Sequence, residues 1–258
     1  MSTKKFFLIA VVLVIAALIV VGCINTTPAA ATPEKRVAIV SGHDDWPPVM
    51  YEVANSDGSA SIAGTGVDAT RIVFKNIGVD IDPKYVGSWT TVQQMAKEGK
   101  IDVIVALYKT KEREEYLYYS IPYTNDPIVL FFKKGHEFNY TGKESLIGKK
   151  GVATAGDSYG QVMDDFIVSA NLNVVRVNTS LQAFDMLREG KVNYYINSQS
   201  AGRSVINQSG LSGFTESGVV SNELFYMGIS KKSPYAANMR EINSVLRDMI
   251  ANKQIPGK

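Results

Sequence analysis

Two stretches of the chain repeat one pattern of apolar and polar positions. Lys97-Glu98-Gly99-Lys100-Ile101-Asp102-Val103-Ile104 is echoed about ninety residues later by Arg188-Glu189-Gly190-Lys191-Val192-Asn193-Tyr194-Tyr195. Each copy follows a short segment with helical spacing of apolar residues: Val92, Met95 and Ala96 in the first, Leu181, Phe184 and Leu187 in the second. Thr90 with Gln93 forms a capping-box pattern before the first, and Thr179 or Ser180 caps the second. Each helix stops at a glycine suited to a left-handed C-cap and re-enters as an apolar strand. Helix, glycine, strand, occurring twice, predicts two lobes of similar construction.

The remaining pattern fits that plan. Strands are expected at Arg36 to Ser41, Asp82 to Val86, Ile101 to Ala106, Pro127 to Phe132, Gly151 to Ala155, Asn173 to Val177, Val192 to Ile196 and Phe225 to Ser230. Further helices are expected at Val67 to Ile77, Ser158 to Ser169, Ser198 to Asn207 and Pro234 to Ala251. Alternating strands and helices predict an α/β fold with mostly parallel sheets, helix-flanked and joined by right-handed crossovers. The expected division is lobe 1 over 35–123, lobe 2 over 124–222 and a return to lobe 1 over 223–258. Crossings near Tyr123–Asn125 and Ser221–Leu224 make a two-segment hinge, suited to closure around a ligand.

The amino terminus breaks the pattern. Lys4 and Lys5 precede an unbroken apolar run from Phe6 to Val21, followed by Gly22 and Cys23. That is the layout of a lipoprotein signal peptide over 1–22, with thioether lipidation at Cys23, the chain's single cysteine. Two acyl chains there would anchor the protein to a membrane stably. The alternative is an uncleaved membrane anchor, since the run approaches the ~20 residues needed to span. Residues 23–34, rich in Thr, Ala and Pro, read as an extended tether. The expected location is the outer face of the cytoplasmic membrane.

Charge changes the picture only by exclusion. Of 27 Lys and Arg, the signal peptide removes two, leaving 25 against 25 Asp and Glu. A balanced surface lacks the basic face that nucleic acid demands. The residues show no metal-ligand spacing, phosphate loop or nucleophile–base pair, so no cofactor and no metal is expected.

The most specific chemistry lies between Gly99 and Gly135. An apolar strand is followed by a polar loop presenting Arg113, at the strand end where open α/β sheets bind ligands. Arginine's planar fork suits a carboxylate. Gly99, Asp102, Ala106, Thr110, Glu112, Arg113, Pro122 and Tyr123 together resemble family 3 extracellular solute-binding proteins, the polar amino-acid receptors of ABC importers. The resemblance covers roughly residues 35 to 255. It implies a two-lobe periplasmic-binding-protein type II fold, a small carboxylate or amino-acid ligand, ABC permease partners and a monomer.

Four loops should converge on the cleft. In Gly42 to Pro48, Trp46 either stacks on a ligand or packs beneath the loop, while Asp44 and Asp45 are contacts for an amine or solvated turn residues. The Ala106 to Arg113 loop resembles the family's carboxylate site, with Ala106 and Tyr108 where the resemblance implies Gly and Thr. In Thr154 to Ser158, the hydroxyl of Ser158 matches the family's loop, while Asp157 as N-cap and Ser158 with Gln161 as capping box explain the same residues structurally. At Asn197-Ser198 the resemblance implies an Asp at 198 as counter-ion for the α-ammonium, and this chain has none there. Either another acid such as Asp44 or Asp45 takes that role, or the ligand has no α-ammonium.

Three functions remain open on these grounds: a receptor feeding an importer, a tethered sensor signalling to a membrane partner, and a cyclohexadienyl-dehydratase-like enzyme. For the last, His43 in a cleft loop and His136 in an exposed turn are the only histidines. The favoured reading is a binding protein rather than an enzyme.

Overall fold

The computed structural model describes residues 36–255. The expected signal peptide, the tether and Cys23 lie outside the described residues. In chain order the elements are β1 (Val37–Ser41), β2 (Asp45–Trp46), β3 (Met50–Ala54), β4 (Ala60–Ala63), α1 (Thr65–Asn76), β5 (Asp80–Pro83), α2 (Trp89–Glu98), β6 (Val103–Leu107), α3 (Lys111–Glu114) and β7 (Leu117–Tyr119). Then follow β8 (Thr124–Lys133), β9 (Lys150–Thr154), α4 (Gln161–Ser169), β10 (Asn173–Val177), α5 (Ser180–Arg188), β11 (Tyr194–Ser198), α6 (Gln199–Gln208), β12 (Phe214–Glu216), β13 (Ser221–Ser230) and α7 (Met239–Ala251). Among the described residues no helix is long and apolar enough to cross a membrane.

The main sheet runs β10-β9-β11-β8-β13-β6-β1-β5 and has two lobes. In one, β1 pairs in parallel with β5 and β6. In the other, β9 pairs in parallel with β10 and β11. Two long antiparallel strands, β8 and β13, join them, in register from Ser221↔Ile128 to Phe225↔Thr124. β13 begins against β8 and from Tyr226 continues against β6, with a register shift between Tyr226 and Gly228. A smaller sheet, β2-β3-β4, closes over α1.

The echoed segments form as their pattern requires, with local corrections. α2 is capped not by Thr90 but by Ser88, whose hydroxyl accepts from the Thr91 amide; Trp89, Val92 and Ala96 face inward. Thr179 caps α5 by accepting from the Gln182 amide, and Ala183, Phe184 and Leu187 are buried. Leu181 is 44% exposed, because its position falls one residue off the buried stripe. Gly99 and Gly190 both take left-handed φ, 82° and 72°, which glycine adopts without Cβ strain. Each echo then pins its lobe in the same way. The Asp102 amide donates to the Ile39 carbonyl (2.8 Å) while its carboxylate accepts from the Ile39 amide (2.8 Å). The Asn193 amide donates to the Lys150 carbonyl (2.7 Å) and its side-chain oxygen accepts from the Lys150 amide (2.8 Å).

Most element boundaries shift by one or two residues, β8 and β13 begin three and four residues earlier than expected, and three further differences have a local cause. β5 starts at Asp80 rather than Asp82, since its register is set by β1, Val37↔Asp80 to Val40↔Pro83, and it ends at an edge proline. α4 starts at Gln161, with Gly160 as N-cap, so neither Asp157 nor Ser158 caps the helix. Ser158 instead donates its hydroxyl to Asp164 and accepts from the Gly160 amide. The final expected helix divides into a 3-10 turn, Pro234–Asn238, and α7.

The largest apolar cluster runs across both lobes, and two smaller ones lie within single lobes. Phe131, Phe184 and Tyr195 meet beneath α5, with Phe184 5.3 Å from Phe131 and 5.2 Å from Tyr195, both edge-on. Complete burial of a phenylalanine stabilises by roughly 1.5–3 kcal/mol. Under α2, Trp89, Val92 and Ala96 pack with Ile101, Ile104 and Leu107.

Candidate functional site

The carboxyl ends of β1, β6, β9 and β11 point to one place, the seam between the lobes, as open parallel sheets require of their ligand sites. Their ends and the turns after them carry His43, Tyr108 with Arg113, Asp157 with Ser158, and Ser198, the last residue of β11. A small cavity of about 20 Å³, room for a water molecule or so, is lined by His43, Trp46, Met50, Trp89, Leu107, Tyr108, Arg113, Asp157, Ser158 and Phe225.

Arg113 sits in α3, which is capped by Thr110, and is 5% exposed. Its Nε donates to Gln93 Oε1 (3.0 Å), Nη1 to the Tyr108 carbonyl (3.1 Å) and Nη2 to the Gly156 carbonyl (3.2 Å). The guanidinium lies 5.3 Å from the Trp89 ring centroid, a cation–π distance. Gly156 belongs to the opposite lobe, and its carbonyl also accepts from Gln93 Nε2 (3.3 Å). Arg113 is thus a buried cation whose hydrogen-bond partner on the far lobe is one neutral carbonyl, that of Gly156, a setting that a ligand carboxylate would improve.

His43 bridges the seam. Its Nε2 lies 3.1 Å from Asp157 Oδ1, and both residues are buried. The Asp45 amide donates to Nδ1 (2.9 Å), the arrangement of a neutral ring, while Asp44 Oδ1 is 3.3 Å from the same nitrogen and can accept from a charged one. Burial alone would lower the His43 pKa, but the charge and hydrogen bond of Asp157, with help from Asp44 and Asp45, raise it above the ordinary value.

The third cluster centres on Asp126 in β8, which is 2% exposed. Its carboxylate accepts from Trp46 Nε1 (2.8 Å), the Tyr108 hydroxyl (2.8 Å) and the Ser198 hydroxyl (2.7 Å), with Ser200 at 3.4 Å. Burial raises its pKa, and these donors offset the rise only in part. Trp46 and Tyr108 stand edge to face, centroids 5.9 Å apart, and Phe225 stacks on Tyr108 at 4.8 Å.

The expected residues divide accordingly. Trp46, Tyr108, Arg113, Asp157 and Ser158 line the cavity, and Trp46 is also packed in the hydrophobic core. Ala106 is buried inside β6, and the Asn197 side chain accepts from the Ser198 amide; neither lines the cavity. Ser198 caps α6 and reaches Asp126 rather than the cavity. Asp45 bonds Ser180 at the start of α5 across the seam, and burial raises its pKa, so it is neither a solvated turn residue nor a free acid. His43 proves a buried bridging group, and His136 is exposed as expected. Trp89, Gln93 and Asp126 were not expected at the site; Gln93, read from the sequence as half of a capping box, instead bonds Arg113 and Gly156. An aromatic directly after a helix-capping serine was the available signal for Trp89. Among the described residues no cluster of His, Cys, Asp or Glu could hold a metal ion.

This arrangement of strand-end loops has counterparts. The model of the bacterial extracellular solute-binding proteins, family 3, matches residues 38–256. The chain belongs to this family. No curated protein matches it in sequence. Its fold is similar to that of holo ArgBP from T. maritima, with TM-score 0.67 and 23% identity over 83% of this chain and 90% of that one. It is similar also to AbpA, an amino acid ABC transporter substrate-binding protein from Streptococcus pneumoniae bound to L-arginine, with TM-score 0.67 and 18% identity over 85% and 91% of the two chains. A histidine kinase sensor domain with similarity to periplasmic binding proteins superposes with TM-score 0.72 at 18% identity, over 86% and 93%. At these identities the likeness is one of fold, the two-lobe α/β architecture of family 3.

Proposed function

We propose that this family 3 protein is a lipid-anchored extracytoplasmic receptor that captures an amino acid or related carboxylate-bearing solute between its lobes for an ABC importer. The observation that carries this reading is Arg113: a buried guanidinium at the carboxyl end of β6, lining the seam cavity and bonded across the seam to the neutral Gly156 carbonyl. In this reading lobe 1 comprises 35–123 and 223–258, and lobe 2 comprises 124–222. The paired strands β8 and β13 are the hinge. Capture exchanges the cross-lobe bonds of Arg113 and His43 for bonds to the solute. Ser158 and Asp157 meet it from lobe 2, and Tyr108, Trp46 and Trp89 shape the pocket. Cys23 carries the lipid, the protein acts as a monomer, and no cofactor takes part.

A sensor role uses the same cleft, and the fold it shares with a histidine kinase sensor domain favours keeping it as the second reading. Neighbouring permease and ATPase genes would support transport, and a neighbouring signalling gene would support sensing.

The test is thermal unfolding of the full chain, purified in detergent, against amino acids, amines and mono- and dicarboxylates. A ligand at about 100 times its Kd adds roughly 2.7 kcal/mol, which at roughly 2–4 °C per kcal/mol gives a shift on the order of 5–10 °C. Amino acids are expected to give the shift. Silence from every carboxylate would overturn the reading.

A further inference from the structure

Asp126 is a buried carboxylate whose four hydrogen-bond donors are all neutral. Among the described residues no ion pair includes it. A buried anion held only by neutral groups is costly to keep, and a cation arriving beside it relieves that cost.

Its donors are divided between the lobes. Oδ1 accepts from Ser198 and Ser200, at the start of α6. Both belong with Asp126 in one lobe, because β11 is paired with β8, Ser198 opposite Ile128. Oδ2 accepts from Trp46 Nε1 and the Tyr108 hydroxyl, both from the other lobe, and both rings line the seam cavity. Movement of the lobes apart therefore leaves Oδ1 held and aimed while Oδ2 is bared toward the cleft. The other acids at the seam are differently placed. Asp157 and Asp44 already have His43 as a partner, Asp45 is held by Ser180, Asp164 by Ser158 and the Tyr159 amide, and Glu223, opposite Asp126 on β13, interacts with Ser221.

We infer that Asp126 is the counter-ion for an ammonium group of the solute, its Oδ2 exchanging Trp46 and Tyr108 for the N–H donors of the ligand. The inference rests on the proposed capture of a carboxylate-bearing solute by Arg113, and it specifies the class as carboxylates that also carry a primary amine. The Ser198 hydroxyl, 2.7 Å from Asp126, marks a second position from which a carboxylate could serve the same spot.

The test uses the full chain in detergent, the twenty standard L-amino acids as probes, and the 2-hydroxy acid matching each amino acid that shifts the melting temperature. Wild type is expected to prefer the amino acid by on the order of 100-fold, the scale of a buried charge pair. Asp126→Asn should remove that preference, with the hydroxy acid bound about as before. Asp126→Asn combined with Ser198→Asp should restore at least about tenfold of it, a recovery that a merely structural role for Asp126 would not produce. An amino acid bound equally well by wild type and Asp126→Asn, or a loss that the second substitution does not recover, overturns the inference. Should Asp126→Asn melt too low to assay, equal affinity of wild type for amino acid and hydroxy acid overturns it as well. No shift from any carboxylate in wild type would instead overturn the receptor reading on which it rests.

Discussion

Asp102 and Asn193 do the same work in opposite lobes, yet the strands that follow them deliver opposite chemistry. Both residues close a two-bond clasp on the neighbouring strand, Asp102 on Ile39 and Asn193 on Lys150. Beyond β6 the chain presents Tyr108 and the Arg113 cation. At the end of β11 it presents Ser198, a neutral cap that steadies the Asp126 anion. Lobe 1 thus brings Arg113 and His43 to the seam, and lobe 2 brings Asp126 and Asp157. The scaffold is repeated while the loops are not, which lets two similar halves form a cleft with a positive wall at Arg113 and a negative one at Asp126, although lobe 1 also brings Asp44 and Asp45 beside His43. Such a cleft suits a solute carrying both charges.

Breaking the positive wall should have the largest effect. Arg113→Ala should weaken solute binding by more than about 100-fold, because a desolvated charged hydrogen bond is lost. It should also lower stability by about 1–3 kcal/mol, since Gln93 Oε1 loses its donor and the Tyr108 and Gly156 carbonyls each lose one of two. Arg113→Lys keeps the charge but not the fork and should still lose about tenfold. Calorimetric titration and melting curves measure both, and unchanged affinity would remove Arg113 from the site.

The paired clasps offer a finer comparison. Asp102→Ala should destabilise more than Asn193→Ala, because Asp102 also accepts from the Ser233 hydroxyl at 2.7 Å. The expected costs in urea unfolding are about 2–3 kcal/mol against about 1 kcal/mol. The two glycines divide similarly. Gly190→Ala should cost about 1 kcal/mol for its left-handed backbone alone, since a Cβ there meets nothing. Gly99→Ala should cost about 1 kcal/mol more, because its Cβ would lie 2.8 Å from Lys232 Cβ. Equal costs would mean that the Lys232 side chain yields freely.

The smallest expected effect is one of pH. The raised His43 pKa means that the bridge to Asp157 contributes fully below the unfolded-state value near 6.5 and is lost as pH rises through the folded-state value. The melting-temperature advantage of wild type over His43→Gln should therefore be larger near pH 5.5 than near pH 8.5. A constant difference would show that the pair does not titrate.

Much of the scaffold could be read from the chain because its signals are local. The cap at Thr179, the glycines at 99 and 190 and the span of β10 follow from residues within a few positions of one another. Arg113 was legible because its place after a buried strand carries the information. The β2–β3–β4 sheet was overlooked although Asp57-Gly58 marks its hairpin turn. Asp126 was not legible, for a different reason: within an apolar strand its role depends on Trp46, Tyr108 and Ser198, 18 to 80 residues away in sequence. Its neighbours meet only when the lobes do.

The chain's two tryptophans, Trp46 and Trp89, both line the seam cavity, so their fluorescence reports on this cleft alone. The most direct measurement is tryptophan emission of the full chain titrated with whichever amino acid raises its melting temperature. Binding between the lobes must change the surroundings of both rings, and the account predicts a saturable change in emission with the same midpoint as the stabilisation. Stabilisation with unaltered emission would place the solute elsewhere on the protein and contradict the cleft as its site.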